Sequence, residues 1–227
     1  MMTMFARASD GHARSTVRGG WSRTRLPVTP EMVVLDIGSG TFPNPRADLL
    51  CERDLVDNRH RGGLAVVVDR PLVLGDALSI PLRDQAVDFV IASHIAEHID
   101  EPVRFCHELA RVARAGYIET PSPLFERLFD VEYHSWIVSR RGGELVFEHK
   151  RPRPTWMVTL TRPLYQLVFA DQPSPGRPTY QLPEGLMGRV ARAALRLVLG
   201  ILNRSGIMHT RVHFSPEQPL RCRVEQL

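Results

Sequence analysis

Short apolar runs broken by glycine, proline and acidic residues dominate the first half of this chain of 227 residues. Val33-Val34-Leu35-Asp36-Ile37 ends in Gly38-Ser39-Gly40, the pattern of a buried parallel strand entering a tight turn. Pro43 and Pro45 follow at once and oppose a helix directly after the turn. Ala47 to Glu52 predicts a second strand, Leu72-Val73-Leu74 a third, and Val87 to Ser93 a fourth. Residues 53–71 between them read as irregular, and Ile80 to Asp84 as a turn. A helical period runs from Glu101 to Ala113, with Val103, Leu109 and Val112 inward and Pro102 in the first turn. Gly116 is expected to stop that helix, and Tyr117-Ile118-Glu119 to begin a fifth strand ended by Pro121 and Pro123.

Beyond about residue 121 the pattern changes. Leu145-Val146-Phe147 and Met157 to Leu160, with a Gly142-Gly143 turn, predict hairpin strands closing the sheet. Pro173, Pro175, Pro178 and Pro183 mark a long loop. Gly188 to Arg204 is the clearest amphipathic segment, with Val190, Ala194, Leu197, Val198 and Ile201 on one face, and predicts a core-packing helix. Residues 1–30 have no period and predict a flexible arm or a lid over a ligand, with Trp21 its anchor. Strands alternating with helices or crossovers imply an α/β fold with an open, mostly parallel sheet. Residues 31–227 then form one domain, its acceptor-binding elements lying from about residue 121 onward.

The hydrophobic fraction of 43% is enough for one substantial core. The net charge of +4 comes almost wholly from arginine, Lys150 being the sole lysine, and forms no basic track with interleaved aromatics. Cys51, Cys106 and Cys222 are odd in number and in no metal spacing, which predicts reduced thiols in a cytoplasmic protein. Met1 to Arg18 lacks a signal-type apolar core, and Val190 to Leu202 is too short and too charged to span a bilayer.

The glycine turn carries the first chemical signal. A ligand lying across the end of a parallel sheet needs close backbone approach, which glycine permits. Pro43-Asn44-Pro45 stands where a phosphate-binding helix would start, so a pyrophosphate is poorly served. Glu52 at the end of the second strand suits two ribose hydroxyls, with Asp54 and Asp57 as competitors. Asp76 suits an adenine amino group, with Ala77 packed beside it. Ser93 and His94 end the fourth strand on the substrate side.

Three runs, Leu35 to Gly40, Gly75 to Leu82 and Asp88 to Ile99, together resemble the class I S-adenosylmethionine-dependent methyltransferases over roughly residues 31–121. The resemblance implies a Rossmann-like, seven-strand, mostly parallel sheet with an antiparallel C-terminal strand pair. It implies cofactor contacts at Asp36, Gly38, Gly40, Asp76 and Ala77, to which Ser39, Glu52 and Ser93 are added from their places in the pattern. In that family the second-strand acid lies further beyond the glycine turn, after a helix; here a proline-rich link precedes Glu52.

His94, Glu97 and His98 are spaced to share one helix face, and imidazole with carboxylate can hold a divalent cation. His134, which follows the fifth strand, is the expected further ligand. The set resembles the metal-using O-methyltransferases of ubiquinone synthesis and the small-RNA 2′-O-methyltransferases, with His94 in place of their first glutamate. That likeness implies Mg²⁺; the imidazoles suit Mn²⁺ or Zn²⁺ better. His134, His98 and His94 are also the candidate bases for a hydroxyl proton. Phe125, Tyr133, Trp136 and Trp156 offer ring faces for a sugar. The segments 44–48, 117–123 and 133–136 resemble a bacterial branch linked to polysaccharide synthesis, like the mycobacterial sugar 1-O-methyltransferases of methylmannose polysaccharides. The implied reaction is O-methylation of a small sugar or oligosaccharide, without nucleic acid. RNA 2′-O-methylation and a non-catalytic cofactor-binding scaffold are the alternatives.

Overall fold

The computed structural model describes residues 25–57, 63–151 and 205–225, with 193–194, 197–198 and 201–202. Strands β1 (Val34–Ile37), β2 (Leu49–Glu52), β3 (Leu72–Leu74), β4 (Val87–Ser93) and β5 (Ala113–Pro121) lie where the apolar runs place them. Helix α1 (Pro102–Val112) precedes β5, and α2 (Pro123–Phe129) follows it; then come β6 (Trp136–Arg141), β7 (Glu144–His149), β8 (His209–Phe214) and β9 (Cys222–Glu225). The main sheet has the order β3-β2-β1-β4-β5-β8. Its first five strands are parallel and β8 runs antiparallel to β5.

The expected mostly parallel α/β sheet is therefore present, with six strands among the described residues where seven were expected and a single antiparallel C-terminal strand. The hairpin does not close this sheet. β6 and β7, joined at Gly142-Gly143, form a second sheet with β9. Met157 to Leu160 lie outside the described residues.

Side-chain alternation divides the core. Leu35, Ile37, Val90 and Ala92 face α1 and the second sheet, where Phe105, Leu109 and Phe147 are fully buried. Each such side chain contributes roughly 2–3 kcal/mol of burial. Val34, Phe89, Ile91 and Tyr117 face the other side, which Leu26, Val28 and Met32 cover. The end of the predicted arm thus packs on the sheet. Val103 is 37% exposed rather than inward, and Pro102, Phe105 and Cys106 join Leu109 and Val112 in the buried face of α1.

Gly116 does not stop the helix, which ends at Val112; it lies within β5. A Cβ there would clash with the Phe214 ring and come within 2.7 Å of a Val90 methyl, so close strand packing explains the glycine. Leu197, Val198 and Ile201 are helical but more than half exposed, so the face read as core-packing is turned outward at these positions. No helix among the described residues is long and apolar enough to cross a membrane.

Candidate functional site

Parallel register brings the carboxyl ends of β1 to β5 to one rim: Ile37 pairs with Cys51 and Ala92, Glu52 with Leu74, and Ser93 with Glu119. Strand order reverses between β1 and β4, and open α/β sheets bind ligands in the crevice at such a point. Gly38 and Gly40 adopt left-handed φ of 64° and 55° there. A Cβ on Gly38 would lie 2.8 Å from Ile95 Cδ1 and push that methyl aside, and the positive φ would strain any other residue.

Glu52 reaches this turn. Its Oε1 accepts from the Gly40 N–H at 2.6 Å and the Ser39 hydroxyl at 3.0 Å, leaving Oε2 for a ligand. Asp54 instead accepts from the N–H groups of Val56 and Asp57 within its own exposed loop. No helix links β1 to β2. The chain between them is held by side chains: Asp36 Oδ2 accepts from Asn44 N–H at 2.8 Å, and Arg70 donates to the Asn44 and Ala47 carbonyls. Those bonds satisfy the backbone that a helix would have satisfied internally, which is how so short a link delivers Glu52 to the rim. Burial, reinforced by the Glu52 charge and opposed by Asn44 and Arg70, raises the Asp36 carboxyl to about 7. Asp76 Oδ1 accepts from Leu78 N–H at 2.8 Å, and Ala77 is buried beside it. Two glycines and two carboxylates around one crevice fit an adenosyl ligand, which carries donors but no phosphate.

Beyond β4 the chain does not continue as a helix. His94 takes a left-handed φ of 55°, and only Ala96–His98 form a 3-10 turn. His94, Glu97 and His98 therefore do not share a helix face, contrary to the spacing, although the three remain neighbours. Thr120 donates to Glu97 Oε2 at 2.9 Å, while the buried Glu97 Oε1 makes no hydrogen bond and lies 3.9 Å from His98 Nε2. His134 returns over the rim as expected, its ring 4.8 Å from that of His98. The Nδ1 of His134 is 2.5 Å from Glu126 Oε1, and the Nδ1 of His98 is 3.2 Å from the Tyr133 carbonyl. Both acceptors require an Nδ1–H, so both rings carry their lone pair on Nε2. Glu97, His98 and His134 offer ligand atoms within 4.8 Å of one another, which fits a divalent cation.

His94 turns toward residues that the spacing did not reveal. Its Nδ1 is 3.4 Å from Glu97 Oε1, and its Nε2 is 3.7 Å from Glu119 Oε1. Burial opposes charge on this ring, but Glu119 and Glu97 outweigh it and raise its pKa to about 9. Burial likewise opposes ionisation of Glu97, and His94, His98 and His134 outweigh it and lower its pKa to about 2. His209, on β8, lies beside His94; burial lowers its pKa to about 4. No local motif joins His209 to His94, because only the antiparallel pairing of β8 with β5 brings them together.

The aromatic rim is mostly core. Phe125 packs on Phe129, and Trp136 donates from Nε1 to the Ile99 carbonyl. Of these candidate rings among the described residues, only that of Tyr133 is exposed, stacked 5.6 Å from the ring of His98. Trp156 lies outside the described residues.

Residues 35–118 match the family model of a methyltransferase domain. An uncharacterized methyltransferase of Mycobacterium leprae is 28% identical over 152 residues, 64% of this chain and 53% of that protein. One from Mycobacteroides abscessus is 29% identical over 111 residues, 48% of this chain and 36% of that protein. The chain thus spans about half the length, or less, of these curated relatives. A crystal structure of an S-adenosylmethionine-dependent methyltransferase from Thermotoga maritima shares 22% identity over 42% of this chain and 47% of its own, with a TM-score of 0.34.

Proposed function

We propose that the chain, whose residues 35–118 match the model of a methyltransferase domain, is a class I S-adenosylmethionine-dependent methyltransferase that methylates a hydroxyl of a small sugar or oligosaccharide, assisted by a divalent cation. The observation that carries the reading is the paired Nε2 orientation of His98 and His134 beside the buried Glu97.

S-adenosylmethionine supplies a methyl group on a sulfonium that is already a good leaving group. The chain must bind it, align an acceptor and dispose of a proton. Gly38 and Gly40 would let the backbone approach the ligand; Glu52 Oε2 would accept from ribose hydroxyls, and Asp76 from an adenine amino group. Ser93 bounds the crevice on the acceptor side. A divalent cation at Glu97, His98 and His134 would lower the pKa of an acceptor hydroxyl and hold it in place.

An imidazole nitrogen that ligates a cation cannot also take the hydroxyl proton. The ligand and base roles of His98 and His134 are therefore alternatives, and dependence on metal separates them. His94 is held protonated near neutral pH by two carboxylates, so it ranks third as the acceptor of a proton. Two imidazoles and one carboxylate suit Mn²⁺ better than Mg²⁺. The sugar acceptor rests on the resemblance of segments 44–48, 117–123 and 133–136 to a branch linked to polysaccharide synthesis, and a mannoside on the similar length and arginine bias of the methylmannose enzymes.

Methyl transfer to a panel of mannosides, other sugars, phenols and RNA, with and without a chelator, tests the proposal. Transfer to a sugar hydroxyl, lost with chelator and restored by Mn²⁺ or Mg²⁺, is the expected result. Transfer to RNA alone would overturn the acceptor, and calorimetry showing no binding of S-adenosylmethionine would overturn the reading as a whole.

A further inference from the structure

Glu119, His94 and His209 form a second cluster at the same rim. Their ligand atoms lie within 4.8 Å of one another, as do those of Glu97, His98 and His134. Each cluster is two imidazoles and one carboxylate, on different residues. We propose that His94, Glu119 and His209 hold a first-row divalent cation of their own, so that the rim carries two metal ions.

Three features favour a cation site over a buried ion pair. The first is the spacing between His94 Nε2 and Glu119 Oε1, 3.7 Å. That is too long for a hydrogen bond, yet close to the ~3.4 Å that separates two ligands bonded at ~2.1 Å to one tetrahedral ion. The second is the fixing of two of the ligands, Glu119 and His94, from behind. Arg211 Nε donates to Glu119 Oε2 at 2.7 Å, and the Tyr117 hydroxyl donates to the same oxygen, which turns Oε1 toward the imidazoles. Glu97 Oε1, fully buried and without a hydrogen bond, faces His94 Nδ1 at 3.4 Å. A cation that displaces the Nε2 proton would leave the remaining proton of His94 on Nδ1, facing that oxygen at 3.4 Å. This carboxylate–histidine arrangement is the outer shell that orients metal-bound imidazoles.

The third feature is burial. His94 is 23% exposed at its side chain, but its Nε2 is buried, as are Glu119 and His209. A cation held there would be shielded from bulk water, so its attraction to the Glu119 carboxylate would be weakly screened. Two imidazoles with one carboxylate select Zn²⁺, Co²⁺ or Mn²⁺ over Ca²⁺. Glu97 lies in both clusters' surroundings, as a ligand in one and as the partner of His94 in the other, and so couples them.

The test is stoichiometry, which needs no acceptor. The chelator-stripped full chain is titrated with Co²⁺, followed by calorimetry and visible absorption. Two equivalents are expected. His209→Ala and Glu119→Gln should each remove one equivalent, or weaken it at least tenfold, and keep the other; His134→Ala should do the converse. A single equivalent removed only by His134→Ala would overturn the second site and leave the first standing. A single equivalent removed only by His209→Ala would uphold the second and overturn the first. Because Glu119→Gln also disturbs Arg211 and Tyr117, circular dichroism checks its fold. Were it to unfold, His209→Gln decides: unchanged Co²⁺ binding overturns the proposal.

Discussion

Glu126 Oε1 lies 2.5 Å from Nδ1 of His134, both side chains buried, and their positions are eight residues apart across the end of α2. The Ser122 hydroxyl accepts from the Phe125 N–H at the start of α2, and Lys150 pairs with Glu126 and Asp130 beyond it. The carboxylate is therefore fixed before any ligand arrives, and the imidazole is held in one tautomer with Nε2 directed away from it.

Glu126→Gln should weaken divalent-cation affinity roughly 10–100-fold, because a ligating histidine that loses its outer carboxylate loses basicity and orientation. Calorimetric titration of the stripped protein measures this. An unchanged affinity would mean that His134 is not a ligand.

Glu52→Gln should weaken binding of S-adenosylmethionine about 10- to 100-fold, the loss of a charged hydrogen bond of roughly 1.5–3 kcal/mol. The same titration with Asp54→Asn should change little, since that carboxylate is committed to its own loop. The reverse ranking would transfer the ribose contact to Asp54.

Asp36 gives a pH signature. Its carboxyl titrates near 7 when folded, against an ordinary value of 3.8, so the folded state holds the extra proton between those limits. Stability from this group therefore falls as pH rises from about 4 to about 7 and is level above, with a total loss on the order of 4 kcal/mol. Asp36→Asn keeps an acceptor for the Asn44 N–H and removes the titration. Urea melts at pH 5 and pH 8 should show the variant gaining on the parent at pH 8; an equal difference at both pH values would sink the assignment.

Gly116→Ala should destabilise the fold by about 1–3 kcal/mol through overpacking against Phe214 and Val90. Thermal melting checks it. A neutral or stabilising effect would mean that Phe214 and Val90 give way without cost, and close packing would not explain the glycine.

The apolar runs and their punctuation determined β1 to β5, α1 and the glycine turn, because strand burial and turn chemistry are local properties of a few consecutive residues. They also placed Glu52, Asp76 and Ser93 at strand ends, since a parallel sheet carries all such ends to one rim. Tertiary structure decided the rest. Spacing alone put His94 on a shared helix face with Glu97 and His98; the left-handed turn at His94 instead directs it to Glu119. His209 and Glu126 became visible only through the pairing of β8 with β5 and the placement of α2, contacts between residues distant in the chain that no local period records. The amphipathic face at Leu197, Val198 and Ile201 shows the same limit from the other side: a period reports that one face differs from the other, and only packing decides which face is covered.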